Sequence, residues 1–117
     1  MIIGTGVDIT EVRRLRLAIE RWGTSFLSRI FTQEELENAK TRGSLYQHLA
    51  GRFAAKEAVF KALGDKKLNF KDVQILNSKD GKPVCRFLDG RKDIEVHISI
   101  SHIKNYAVAN AIITQEG

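Results

Sequence analysis

Cysteine and proline are almost absent: the 117 residues contain one of each. A single Cys excludes an internal disulfide framework, and no Cys/His cluster is spaced for structural zinc. Cys85 alternates with apolar residues in an expected strand and reads as a core thiol. One Pro, with no low-complexity run and no internal repeat, offers no linker at which to divide the chain, so a single domain over residues 1–117 is expected. Met1-Ile2-Ile3-Gly4 is neither a signal peptide nor a membrane span, which sets the expectation of a cytoplasmic protein with no membrane partner. Also missing are a GxxxxGK[ST] loop, a GxGxxG before a helix and a G-x-S-x-G elbow, so P-loop, Rossmann and serine-hydrolase chemistry are set aside.

What is present is positive charge. Nineteen Lys and Arg stand against fourteen Asp and Glu, a net +5 with a pI near 9.6. That balance fits an anionic partner (nucleic acid, membrane, phosphorylated ligand or acidic protein) and equally a merely soluble basic surface.

Residues 2–9 alternate as a strand, with Ile3, Thr5, Val7 and Ile9 on one face and Ile2, Gly4, Gly6 and Asp8 on the other. Two glycines beside an acid leave the second face bare, a mark of close approach by a ligand or another backbone. Thr10 is a candidate N-cap for a helix to about Trp22, with Val12, Leu15, Ile19 and Trp22 as its buried stripe and Arg13, Arg14, Arg16 and Arg21 mostly off it. Thr32 and Glu35 form a capping box that opens a second helix, Phe31 can staple onto Leu36, and Gly43 is a stop signal. A third helix spans about Leu45–Leu63 and ends at Gly64. Val73–Leu76 and Val84–Leu88 flank the turn Lys79-Asp80-Gly81-Lys82 as a hairpin. Ile94, Val96, Ile98 and Ile100 alternate with Glu95, His97, Ser99 and Ser101 in a half-buried strand, and Tyr106–Thr114 is the last strand. A strand, three helices and then strands predict an α+β fold with an antiparallel sheet.

Three polar sites stand against their surroundings. Asp8 ends the Gly-rich strand face, Ser101-His102 closes a strand, and Glu57 with Lys61 interrupts the helix side formed by Ala50, Phe53, Ala54 and Phe60. A carboxylate aimed at a core needs a partner, and Lys61 or a metal ion would serve. Two carboxylates without Cys or His at metal spacing suit a hard cation such as Mg²⁺, which completes its shell with water and substrate phosphates; Lys and His then fit phosphate oxygens. Each site also has a plain structural explanation. Asp8 can cap the following helix, Glu57 and Lys61 can be a simple i,i+4 pair, and His102 can serve a turn. His48 and His97 read as structural or exposed.

The segments Gly4-Thr5-Gly6-Val7-Asp8-Ile9, Gly51-Arg52-Phe53-Ala54-Ala55-Lys56-Glu57-Ala58-Val59-Phe60-Lys61-Ala62 and Ser99-Ile100-Ser101-His102, in this order and spacing, resemble the holo-[acyl-carrier-protein] synthases, the small trimeric class of 4′-phosphopantetheinyl transferases. Asp8-Ile9-Thr10-Glu11 and Phe31-Thr32-Gln33-Glu34-Glu35-Leu36 fit as well. The resemblance implies transfer of 4′-phosphopantetheine from coenzyme A to a serine of apo-acyl carrier protein, with release of adenosine 3′,5′-bisphosphate. It implies Mg²⁺ on Asp8 and Glu57, and Lys61 at the phosphates. It places Arg52, Gly64 and His102 near the nucleotide, and leaves the serine's base open between Glu57 and a metal-bound water. It gives the first helix, through Arg14, Arg21 and Arg13, the task of docking an acidic carrier. It also implies a homotrimer with sites between protomers, Asp8, Glu57 and Lys61 coming from one chain and His102 from its neighbour. The loop Gly64-Asp65-Lys66-Lys67-Leu68-Asn69 is shorter and poorer in Gly than the family's, although Gly64 matches.

Two other functions fit the composition less well. A basic RNA-binding module would interleave aromatics with its Arg residues, which this chain does not do. A scaffold without catalysis leaves Glu57 unexplained.

Overall fold

The computed structural model describes residues 1–65 and 67–116; Lys66, in the short loop after Gly64, and Gly117 lie outside the described residues. Strand β1 (Ile2–Glu11) is followed by helices α1 (Val12–Trp22), α2 (Thr24–Ile30), α3 (Gln33–Lys40) and α4 (Leu45–Leu63). A 3-10 turn (Phe70–Asp72) leads into β2 (Val73–Asn77), β3 (Pro83–Phe87), β4 (Ile94–His102) and β5 (Tyr106–Gln115). The α+β expectation holds, with two antiparallel sheets rather than one: β1-β5-β4, and the hairpin β2-β3.

Among the described residues four α-helices stand where three were expected. The added one is α2, seven residues with no side-chain cap. It begins because Gly23, at φ 57, turns the chain out of α1. Thr10 is not the N-cap of α1: β1 runs two residues further, and Glu11 occupies that position without a side-chain cap bond. Trp22 is not in the buried stripe. As the last residue of α1 it is 57 % exposed, and the guanidinium of Arg21 lies 4.9 Å from its ring centre. Gly43 is not the stop of α3, which ends at Lys40 with Thr41 as its C-cap. The capping box is present as read: Glu35 N donates to Thr32 Oγ1 and Thr32 N to Glu35 Oε1, at 3.2 and 2.8 Å.

The long helix α4 lies across the three-stranded sheet, and the bare face of β1 explains how closely. A Cβ on Gly4 would sit 1.9 Å from Ala62 O, and one on Gly6 2.0 Å from Ala58 O. Only glycine lets the two backbones meet there. On the helix side the contact is made by Ala54, Ala58 and Ala62, and on the sheet side by Ala109, Ala111 and Ile113, all buried. A second apolar cluster, including Leu15, Phe31, Leu49 and Ala107, lies under α1–α3.

Candidate active site

Register carries Asp8 to the same side of the sheet as α4, because residues of β1 alternate and Gly4, Gly6 and Asp8 share that face. There it meets the polar edge of the helix. Lys61 Nζ donates to Asp8 Oδ1 at 3.1 Å and to Val7 O at 3.0 Å, across more than fifty residues of sequence. Thr10 Oγ1 donates to Asp8 Oδ2 at 3.2 Å. Glu57, one turn before Lys61, shares with Asp8 a cleft of about 410 Å³. Leu15, Ala18, Phe26 and Phe53 give this cleft apolar walls, and Arg14 stands at its edge. Burial, and then the negative charge of Asp8, push the Glu57 carboxyl above its usual range, while Lys61 pulls the other way. Glu57 is therefore half-buried at the helix edge rather than aimed into the core.

This donor set fits a hard divalent cation. The two carboxylates are close enough for one to oppose ionisation of the other, a repulsion that a cation between them would relieve. Among the described residues no group of three or more His, Cys, Asp or Glu converges, so the chain offers few ligands, and those are oxygens. That leaves most of a coordination shell to water and to substrate oxygens, the usual situation of Mg²⁺.

A second polar cavity lies at the other outer strand, around His102 at the end of β4 and the first turns of α4. It shares no lining residue with the carboxylate cleft. The rings of His48 and His102 are 5.7 Å apart, edge to face, and Arg42 and Arg52 stand beside them. Burial, followed by the charges of Arg52, His102 and Arg42, lowers the His48 pKa. Arg52 is only 2 % exposed. Its guanidinium donates inward, to Glu35 O at 3.2 Å and to the side-chain oxygens of Asn38 and Asn77. Sequence reasoning missed His48 and Arg42. The available signal was spacing, since His48 stands one helical turn before Arg52.

Gly64 ends α4 in the left-handed region, φ 67, and its N–H donates to Phe60 O at 2.9 Å. In the following loop Asp65 accepts from Arg91 at 3.1 Å. Arg13, Arg14 and Arg21 are exposed on α1.

Residues 4–111 match the 4′-phosphopantetheinyl transferase superfamily. The chain belongs to this superfamily, within its holo-[acyl-carrier-protein] synthases. It is 44 % identical to the holo-[acyl-carrier-protein] synthase of Thermodesulfovibrio yellowstonii, over 97 % of this chain and 100 % of the relative. It is 41 % identical to that of Clostridium tetani, over 99 % and 98 %. Among solved structures, the Bacillus anthracis holo-(acyl-carrier-protein) synthase in complex with CoA (3′,5′-ADP) superposes with a TM-score of 0.86 at 39 % identity, covering 99 % of both chains. The Helicobacter pylori enzyme in complex with coenzyme A gives 0.85 at 30 % identity, covering 94 % of this chain and 99 % of that one. The chain is thus an enzyme, a 4′-phosphopantetheinyl transferase, and no helix among its described residues is long and apolar enough to cross a membrane.

Proposed function

We propose that this chain transfers the 4′-phosphopantetheine group of coenzyme A to a serine of an apo-acyl carrier protein and releases adenosine 3′,5′-bisphosphate. The observation that carries the reading is the meeting of Asp8, Glu57 and Lys61 at one cleft, from a strand and a helix far apart in sequence. In the reaction the serine oxygen attacks the phosphorus that bears pantetheine, and the bond from that phosphorus to the bridging oxygen breaks. The electron pair leaves on the nucleotide phosphate. Asp8 and Glu57 would hold Mg²⁺, which when bound supplies positive charge to the pyrophosphate oxygens. Lys61, 55 % exposed at its side chain, is free to turn its ammonium to a phosphate oxygen and offset the charge that develops there. Glu57, lining the cleft with Asp8, is the chain's own carboxylate placed to take the serine proton. Arg42 and Arg52 give the second cavity positive charge, and the rings of His48 and His102 add N–H donors, a lining suited to a further phosphate.

The assembly proposed with this function is a trimer with sites between protomers. Its first support is the outer face of the sheet, which is apolar and uncovered: Val7 and Ile9 are 57 % and 65 % exposed, and Ile3 and Val108 extend the patch. Its second support is the separation of the carboxylate cleft from the His102 cavity by α4 and β5, which leaves each of them half a site. Incubation with coenzyme A, Mg²⁺ and an apo-carrier tests the reaction. The carrier should gain the mass of one phosphopantetheine group; an unchanged carrier mass across fatty-acid, polyketide and peptide-type carriers would refute it.

A further inference from the structure

We propose that Lys56, clamped to Glu35, is a positioning residue for the transfer: the clamp sets the rotation of α4 and so aims Glu57 and Lys61 at Asp8. This rests on the function proposed above. Both side chains are completely buried. Lys56 Nζ donates to Glu35 Oε1 at 2.7 Å, to Ile30 O at 2.8 Å and to Phe70 O at 2.9 Å. All three ammonium protons are thereby engaged. Glu35 also accepts from the main-chain N–H of Thr32 and of Ile75, each at 2.8 Å. One buried joint therefore ties α4 to the end of α2, the start of α3, the 3-10 turn and β2.

Stability alone is a weak reason to keep such a joint, because replacing a buried ion pair as a unit by apolar groups is often neutral or better. Direction is what it adds. The sheet-facing side of α4 carries only small side chains against Gly4 and Gly6, with few protrusions to fix rotation. Lys56 and Glu57 are neighbours around the helix, so any rotation that relaxes the clamp swings Glu57 with it. At a side-chain radius of ~6 Å, a turn of about 10° moves a carboxyl by about 1 Å. Misplacement of that size costs roughly 100-fold in rate. The same ammonium, through Phe70 O, holds the Phe70 ring stacked on Phe53 at 5.5 Å, and Phe53 lines the cleft beside Glu57.

The test is the paired variant Lys56→Met/Glu35→Gln, with Ile113→Val, a core change away from both the joint and the cleft, as control. Folding is followed by circular dichroism, and kcat and KM are measured for coenzyme A and apo-carrier at a temperature where every protein is folded. The paired variant should lose roughly 10- to 100-fold in kcat while both KM values stay within about threefold, and the control should keep its kcat. A folded paired variant with kcat within about twofold of the parent would overturn the proposal, as would an equal loss in the control. If the paired variant does not fold, Lys56→Arg decides by the same criteria, since it keeps the charge but must displace the helix to fit the longer head. Absence of transfer by the parent would instead count against the underlying function, which separates the two failures.

Discussion

Asp8 is held by two donors, Lys61 and Thr10, while Glu57 stands across the cleft above its ordinary pKa. If the two carboxylates share a cation, each should be indispensable and neither should matter much to folding, since both border a solvent-filled cleft. Asp8→Ala and Glu57→Ala are expected to abolish transfer and to melt within a few degrees of the parent, read by carrier mass and by circular dichroism. Undiminished turnover in excess chelator would defeat the metal role. These residues were legible as anomalies: an acid on a bare strand face and a carboxylate interrupting an apolar helix side. Their meeting was implied by the family resemblance but not legible from spacing, because the Lys61–Asp8 contact spans more than fifty residues and depends on where α4 crosses the sheet. Arg52 shows the opposite limit. The resemblance paired it with His102, and the two do line one cavity, but its inward bonds to Glu35, Asn38 and Asn77 depend on two other elements, α3 and β2, that no local pattern reveals.

At the scale of elements, α1 connects the two requirements of the reaction. Its buried side follows helical spacing at Val12 and Leu15, while Ile19 and Trp22 of the expected stripe are half-buried and exposed. Its outer side presents Arg13, Arg14 and Arg21, and Arg14 also borders the carboxylate cleft. A carrier docked on this helix would therefore have its serine near Asp8 and Glu57. Arg14→Glu should raise the KM for carrier severalfold and leave coenzyme A affinity nearly intact. Carrier binding should also weaken with salt, because exposed charges are screened beyond ~10 Å at 0.1 M. Titration calorimetry showing salt-independent affinity would contradict docking by charge. The elements missed by sequence were short or lacked a signal. Helix α2, at seven residues, is too brief to display a periodic stripe and has no side-chain cap to mark its start. The glycines of β1 announced a close approach, and the structure identifies what approaches: the carbonyls of Ala58 and Ala62 rather than a ligand.

At the scale of the whole molecule, the sheet has two unlike faces. One is packed on α4; the other leaves Ile3, Val7, Ile9 and Val108 exposed along β1 and β5. An apolar patch of this kind on a small enzyme suits the trimer proposed above, in which further copies of the chain would cover it. In the trimer proposed above, one ligand would use both polar cavities where the cleft of one protomer faces the His102 cavity of another. Mixing inactive chains tests this directly. Assemblies made only of Asp8→Ala chains should be inactive, and those made only of His102→Ala chains strongly impaired. Co-expressed mixtures contain some boundaries where an intact Asp8 faces an intact His102, so they should recover part of the parent's activity. If both residues served a site within one chain, every site in the mixture would carry a defect and nothing would be recovered. A monomeric mass for the active enzyme, measured by light scattering, would refute the shared site as well, because a lone chain keeps the His102 cavity on the far side of α4 from Asp8.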